Sequence, residues 1–268
     1  SQRSLDLSSH LGGSGDQLCL TGAAQLKQGG VQVISVALLV TGFFHHLGQN
    51  FPFTGLVQNG QMVFVFISRH FFRQAHTLQE QLQQLEAQLD KLTEGDILIL
   101  AGSIPASLPQ SVYERLLARL QGRGVRAVVD ATRDLLVNVL PYHPFLIKPN
   151  NHELGEIVGR VLTSDAEIVA AARTLQEKGA RNVLVSMAGD GALLLDEQGQ
   201  VHRIGCPKGK VVNSVGAGDS MVAGFVAAYL QSSSYAQALR LGTACGSATA
   251  FSLGLATKEK INELLAQR

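Results

Sequence analysis

The sequence predicts an α/β protein whose mostly parallel sheet is covered by helices on both faces. From about residue 77 onward, helical and strand patterns alternate along the chain. The strand patterns are continuous apolar runs such as 97–101, which are typical of strands buried on both faces. Helical patterns separate these runs, which indicates parallel strands joined by crossover helices. In such a sheet, ligands bind at the carboxyl ends of the strands.

Each predicted helix rests on apolar spacing or on a polar residue that can cap its first turn. Three pairs stand in capping-box register: Thr77 with Glu80, Ser111 with Glu114, and Ser164 with Glu167. The predicted helices cover 77–92, 111–121, 164–178, a segment after Asp219, 235–252 and a segment from about 257. The predicted strands cover 97–101, 125–129, 145–148, 182–186 and 192–195, with weaker patterns at 31–40 and 61–68.

The overall composition is that of a globular protein and excludes several functional classes. A chain of 268 residues forms one large α/β domain or two small ones. Its net charge of +1, without a basic cluster, argues against nucleic-acid binding. The three cysteines are widely spaced and predict neither a disulfide framework nor a zinc site, which fits a reducing cytoplasm. The sequence shows no secretory signal, and its longest apolar stretch (31–44) is too short to span a bilayer. We therefore expect a cytoplasmic protein without a membrane partner.

Residues 11–75 differ in composition from the rest of the chain. Only four of them are charged, yet eight of the eleven phenylalanines of the chain lie between Phe43 and Phe72. No clean alternation of strand and helix patterns appears there. A reading-frame disturbance or an incorrectly inferred sequence is one hypothesis for this change.

The segment 213–221 contains a glycine-rich turn followed by a run of small apolar residues that predicts a buried helix. Gly216, Ala217 and Gly218 would form the first turn, and Asp219 would lie at its mouth. A helix N-terminus offers unpaired N–H donors to an anion, and an aspartate there can accept a proton from a hydroxyl. These are the requirements of phosphoryl transfer. The alternative is a turn with a capping aspartate and no further role.

Two further segments follow predicted strands. Asn150 and Glu153 stand three residues apart after Lys148, so both can face one side of a first helical turn and supply oxygen ligands for Mg²⁺. The alternative is a helix cap. The segment from Ser186 to Gly191 is a tight glycine turn, which either contacts a nucleotide or simply joins two strands.

Five ordered segments together resemble the PfkB/ribokinase family of sugar kinases, and within it the 1-phosphofructokinases. They are residues 95–105, 148–154, 185–191, 207–220 and 246–251. The resemblance implies a ribokinase-like fold with a small β lid, and ATP and Mg²⁺ as cofactors. It also implies a single kinase domain over 1–268 that lacks the usual first strand, with 11–75 as an atypical region holding remnants of the substrate loop and lid.

The resemblance implies a role for each matched residue. Asp219 would be the catalytic base, with Gly216, Ala217 and Gly218 as the anion hole. Asn150 and Glu153 would organise Mg²⁺, and Lys148 would neutralise the phosphates. The nucleotide loop would include Ser186, Gly189 and Gly191, and Ser247 would border the adenine pocket. Gly102, Ser103, Gly12 and Gly13 would contact the sugar phosphate.

The sugar side departs from the family pattern. No Asn-Pro-x-x-Asp segment is present, and the Gly-Gly-Lys-Gly signature reads Gly12-Gly13-Ser14-Gly15, followed by Asp16. Residues 50–76 should supply part of the lid and an arginine for the substrate phosphate. Segment 61–68 is a candidate lid strand, and Arg69 and Arg73 are candidates for the arginine.

Several functional alternatives follow. The first is a kinase that converts fructose 1-phosphate to fructose 1,6-bisphosphate, with tagatose 6-phosphate and fructose 6-phosphate as other acceptors. The second is a nucleotide-binding remnant that has lost its reaction. The third is a dinucleotide-dependent dehydrogenase that would use residues 12–15 as its phosphate loop. The spacing of these glycines does not match the dinucleotide-binding motif, which argues against this alternative. The expected partner is a sugar phosphate, and pairing into a homodimer through the lids stays open.

Overall fold

A computed structural model describes residues 24–26, 31–37, 60–66, 78–102, 104 and 108–267, with backbone only for the first three of these ranges. The strands are β1 Ala24–Leu26, β2 Val31–Ala37, β3 Gly60–Phe66, β4 Ile97–Ala101, β5 Arg126–Asp130, β6 Leu146–Ile147, β7 Asn182–Ser186, β8 Ala192–Leu195 and β9 Val201–Ile204. The helices are α1 Leu78–Leu89, α2 Val112–Arg119, α3 Arg133–Val139, α4 Asn151–Val158, α5 Asp165–Glu177, α6 Ala217–Ser232, α7 Tyr235–Ala250 and α8 Lys258–Leu265.

The described strands form one sheet in the order β1-β3-β2-β4-β5-β6-β7-β8-β9. The pairs from β3 through β7 are parallel, whereas β1 and the hairpin strands β8 and β9 are antiparallel to their neighbours. The prediction of a mostly parallel α/β sheet is therefore confirmed. Because β4 to β7 run in the same direction, their carboxyl ends meet at one edge of the sheet.

Most of the candidate lid strand 61–68 lies in the central sheet, and residues 67 and 68 lie outside the described residues. Residues 60–66 pair with β2 in parallel over their whole length, so they extend the central sheet. The apolar run at 62–66 is equally suited to a buried central strand and to a lid strand, so its pattern alone could not separate the two.

Alternate residues of the central strands face two different layers of helices. On one face, Leu98 and Leu100 belong to a core formed with α1 to α5. On the other, Ile97 and Ile99 pack with residues of α6 and α7, including Phe225. All of these strand residues are buried, which is why β4 reads as a continuous apolar run.

Helices α6 and α7 approach each other closely through glycines. A Cβ on Gly224 would lie 2.7 Å from the Cys245 sulfur, and one on Gly242 would lie 2.8 Å from the Met221 carbonyl oxygen. Any larger side chain would separate the two helices. This packing fixes the start of α6 relative to the sheet.

Most boundaries fall within a few residues of the predictions, and 182–186 and 192–195 match to the residue. The capping box of Ser164 and Glu167 is present, whereas the Ser111 side chain makes no capping hydrogen bond in the structure. Three elements were not predicted: the short strand β1, helix α3 and strand β9. Helix α3 is short, lacks a side-chain cap and begins at Arg133 with a positive φ of 51°; strand β9 is an edge strand with alternating exposure.

No helix in the described ranges combines the length and the apolar character that crossing a membrane requires.

We predict that Gly242→Ala destabilises the protein by about 1–3 kcal/mol, because the added methyl group meets a backbone carbonyl that cannot move freely. This loss of stability would be opposite in sign to the effect of helix propensity, because alanine favours the helix more than glycine does. Urea denaturation would measure it. Gly254→Ala is the control, since a Cβ there has no neighbour within 4 Å. An equal effect of both substitutions would contradict this view of the α6–α7 interface.

Candidate active site

The segments singled out in the sequence converge at the carboxyl edge of the sheet. Asp130 ends β5, and Lys148 follows β6 directly. Asn150, two residues later, forms an isolated parallel bridge with Ser186 at the end of β7. A Cβ on Gly218, in the first turn of α6, would lie 3.1 Å from the Lys148 Nζ, so the start of this helix lies above the same edge.

The start of α6 has free hydrogen-bond donors. Gly216 has a left-handed backbone with φ of 81°, which favours glycine, and it turns the chain into the helix. The amide of Ala217 donates to the Ser214 carbonyl, and that of Ser220 to the Gly216 carbonyl. The amides of Gly216, Gly218 and Asp219 have no acceptor among the described residues. The donors available to an anion are therefore these three, and the predicted donor Ala217 is already engaged.

Asp219 is partly buried in this first turn, and its pKa is raised to about 6. Burial is the largest cause, because it penalises the charged form. The neighbouring carboxylate of Asp130 raises the pKa further, and the Lys148 ammonium opposes both effects. A carboxyl group with this pKa is mostly ionised at pH 7 and still close enough to that pH to accept a proton efficiently.

Lys148 is buried and forms an ion pair with Asp130, with 3.2 Å between Nζ and Oδ1. Its ammonium also lies against Gly218, since a Cβ at that position would approach Nζ and Cε at 3.1 and 3.5 Å. Glycine at 218 therefore leaves room for the lysine as well as for an anion. The result is a positive charge held beside the open amides of α6.

Asp130 belongs to this cluster but was not identified as a site residue from the sequence. The sequence did hold one signal for it: Asp130 is an acidic residue that ends a buried strand, so it lies at the carboxyl edge of a parallel sheet. In the fold its carboxylate pairs with Lys148, and its carbonyl oxygen accepts a hydrogen bond of 3.1 Å from the Gly102 amide.

Gly102 lies at the end of β4 on the same edge, with a left-handed φ of 89°. The Tyr113 hydroxyl is within hydrogen-bond distance of both the Ala101 and Gly102 carbonyl oxygens, at 2.9 and 3.0 Å. Tyr113 was also missed by sequence reasoning, because no local pattern links α2 to the end of β4. Ser103 lies outside the described residues.

Asn150 and Glu153 form a complete capping box at the start of α4. The Asn150 side chain accepts from the Glu153 amide and the Glu153 carboxylate accepts from the Asn150 amide, both at 2.8 Å. One Glu153 oxygen, Oε1, is outside this box. The described residues contain no group of three or more His, Cys, Asp or Glu side chains placed to hold a metal. The donor set fits Mg²⁺ bound mainly through water and phosphate oxygens, which that ion tolerates well.

The segment from Ser186 to Gly191 forms the predicted turn between two antiparallel strands, with Ser186 opposite Ala192. Gly191 has φ of 87°, and a Cβ there would lie 2.1 Å from the Ile204 carbonyl oxygen, so no other residue fits. Gly189 has open space around it. The turn thus combines a fixed backbone with an accessible outer surface.

Ser247 lies on the buried side of α7, with its hydroxyl 3.7 Å from the Cys206 sulfur. Because Cys206 follows β9, Ser247 lies beside the hairpin that β8 and β9 form. The remaining predicted contacts, Gly12 and Gly13, lie outside the described residues, as do Ser14, Arg69 and Arg73.

The sequence pattern of the pfkB family carbohydrate kinases matches residues 65–262, most of the chain. The chain belongs to this family. Among characterised members, 1-phosphofructokinase of Bacillus subtilis is 48% identical over 67% of this chain and 59% of its own length. D-tagatose-1-phosphate kinase of Bacillus licheniformis is 37% identical over 69% of this chain and 61% of its own length. The chain thus spans about six tenths of the length of these relatives.

Solved structures of pfkB-type kinases share the fold. The crystal structure of a putative phosphofructokinase from Staphylococcus aureus has a TM-score of 0.70 and 33% identity, covering 88% of this chain and 80% of that one. Phosphofructokinase-2 of Escherichia coli in complex with substrates and products has a TM-score of 0.67 at 26% identity, covering 88% and 81%. Ribokinase of Arabidopsis thaliana, at 20% identity and a TM-score of 0.57, covers 72% and 60% and supports the fold alone.

We predict that Asp219→Asn stabilises the protein at pH 8 by about 1–2 kcal/mol, an amount reduced because the carboxylate is partly exposed. The pKa of about 6 in the folded protein exceeds the ordinary 3.8, so the folded state binds the proton more tightly. The stability that Asp219 contributes is therefore present below about pH 4 and lost as the pH rises to about 6.

Urea denaturation at pH 4 and pH 8 would measure this, and the advantage of the asparagine variant should vanish at pH 4. Asp165→Asn is the matched control, because Asp165 also stands in the first turn of a helix but is exposed and paired with Arg203. A difference between Asp219→Asn and the native protein that does not change with pH would contradict the assignment.

Proposed function

We propose that this protein is an ATP-dependent kinase that phosphorylates a phosphorylated ketohexose, with fructose 1-phosphate as the first candidate acceptor. The observation that carries the proposal is the placement of the Asp219 carboxylate in the first turn of α6, beside free helix amides and the Lys148 ammonium. Membership of the pfkB family and the 48% identity to a 1-phosphofructokinase support this reaction and acceptor.

In the proposed reaction, Asp219 accepts the proton of the sugar hydroxyl as its oxygen attacks the γ-phosphorus of ATP. A new P–O bond forms while the bond from that phosphorus to the bridging β–γ oxygen breaks, and ADP leaves with the electron pair. The raised pKa of Asp219 suits this role, since a base works best when its pKa lies near the working pH.

The first turn of α6 would stabilise the charge that develops on the transferred group. The amides of Gly216, Gly218 and Asp219 are free of partners in the described structure and lie at the positive end of the helix dipole. The Lys148 ammonium, which lies against Gly218, would add its positive charge, and we propose that it contacts the phosphates while it remains close to Asp130.

The nucleotide would lie along the ends of β6 to β8, against Ser186, Gly189 and Gly191, with its base beside Ser247 on α7. The accessible turn at Gly189 and the rigid backbone at Gly191 support this placement. Asn150 and Glu153 would hold Mg²⁺ through water, next to Ser186. The ion would supply charge neutralisation at the phosphates. Gly102 and Ser103 would contact the sugar phosphate, together with Gly12 and Gly13.

The first test is ADP release by the purified protein with Mg²⁺-ATP and fructose 1-phosphate, compared with tagatose 1-phosphate, tagatose 6-phosphate and fructose 6-phosphate. We expect turnover with fructose 1-phosphate at the highest kcat/KM. Tagatose 1-phosphate is included because of the relative from Bacillus licheniformis. ATP binding without turnover on any sugar phosphate would support the alternative, a nucleotide-binding remnant, for which Ser14 in place of the family lysine is the motivation.

Asp219→Asn should lower kcat by about 100-fold or more, because the substitution removes the proton acceptor but keeps the size and shape of the side chain. Binding of ATP, measured by calorimetry, should change little. The exposed Asp165→Asn serves again as the matched variant and should keep the native kcat. Native turnover in Asp219→Asn would overturn the assignment of the base.

A further inference from the structure

Tyr113 makes an unusual contact at the edge of the active site. It is buried in the first turn of α2, and its hydroxyl reaches two consecutive carbonyl oxygens, those of Ala101 and Gly102. Successive carbonyls of a regular strand point to opposite sides. Here both face one hydroxyl, because Gly102 leaves the strand with a left-handed φ of 89°. The phenol has a single O–H proton, so the two carbonyls share it.

The backbone at Gly102 is held from a second direction. Its amide donates to the Asp130 carbonyl oxygen at the end of the neighbouring strand, with 3.1 Å between nitrogen and oxygen. The peptide groups on both sides of Gly102 are therefore fixed, while the residue itself is exposed to solvent. An exposed backbone held in this way is preorganised for a ligand.

The order of the strands places this backbone on one side of the catalytic cluster. Strands β6, β7 and β8 carry Lys148, Ser186 and the glycine turn on one side of β5, whereas β4 lies on the other. The exit of β4 is thus separated from the elements assigned to the nucleotide, and within the proposed function this side of β5 is the one left for the acceptor.

The Tyr113 hydroxyl remains a donor at all relevant pH values. Burial raises its pKa far above the usual range, and the carboxylates of Asp130 and Asp219 raise it further. The second effect also shows that the hydroxyl lies within electrostatic reach of the proposed base.

We propose that Tyr113 is a positioning residue for the acceptor. Its hydroxyl holds the Ala101–Gly102 backbone in the conformation that contacts the sugar phosphate, and it has no part in nucleotide binding. The proposal rests on the proposed kinase function, and it assigns a role to a side chain that does not itself touch either substrate.

Tyr113→Phe tests it by removing only the hydroxyl. Loss of one hydrogen bond at the substrate backbone should raise KM for the sugar phosphate by about 3- to 10-fold. The KM for ATP and kcat should stay within about 2-fold of the native values. Tyr235→Phe is the matched control: it removes another inward-facing hydroxyl, bonded to Glu197 at 2.6 Å, from the first residue of α7. It should change none of the three constants.

Hydrogen exchange measured by mass spectrometry gives a readout that does not need turnover. Tyr113→Phe should accelerate exchange in the peptide that contains Gly102, and leave the glycine turn at 186–192 unchanged. Unchanged exchange at Gly102, or an equal rise in both KM values, would overturn the proposal. If the native protein phosphorylates no sugar phosphate, the proposed function fails, while the exchange experiment still decides whether the hydroxyl holds this backbone.

Discussion

Two carboxylates and one ammonium group meet under the start of α6, and the chemistry of the site depends on this balance. Lys148 is paired with Asp130 and opposes the raised pKa of Asp219. With Asp219 ionised, the three groups carry a net negative charge. An incoming polyphosphate would gain from Lys148 and the helix amides, but would be repelled by the two aspartates. Within the proposed function, a requirement for additional cations follows from these charges.

The position of α6 determines whether Asp219 and the helix amides lie close to the charges of Lys148 and Asp130. Its glycine contacts with α7 fix the helix laterally. The loop before it is fixed as well, because the amides of Val212 and Asn213 both donate to the Ala250 carbonyl oxygen at 2.8 and 3.1 Å. The free amides of the first turn are therefore presented by a rigid support, and a small displacement of α7 would move the anion site as a whole.

Much of this architecture could be predicted because it rests on local patterns. Apolar runs and capping residues identified most strands and helices, and the glycine turn before Asp219 identified the helix start. What could not be predicted depends on distant contacts. The pairing of Lys148 with Asp130, 18 positions apart, arises only when β5 and β6 lie side by side. The contact of Tyr113 with the end of β4 is of the same kind. The engaged amide of Ala217 follows from a turn geometry that sequence alone does not determine.

The buried cysteine of α7 gives the protein an internal reporter of its own motion. The Cys245 sulfur is enclosed against Gly224, and burial raises the pKa of its thiol to about 12. A thiol in this state reacts with alkylating reagents only while α6 and α7 are apart. The rate of its labelling therefore measures how often the helix that carries the anion site separates from its support. Cys206, which is half-buried, would provide the faster reference within the same molecule.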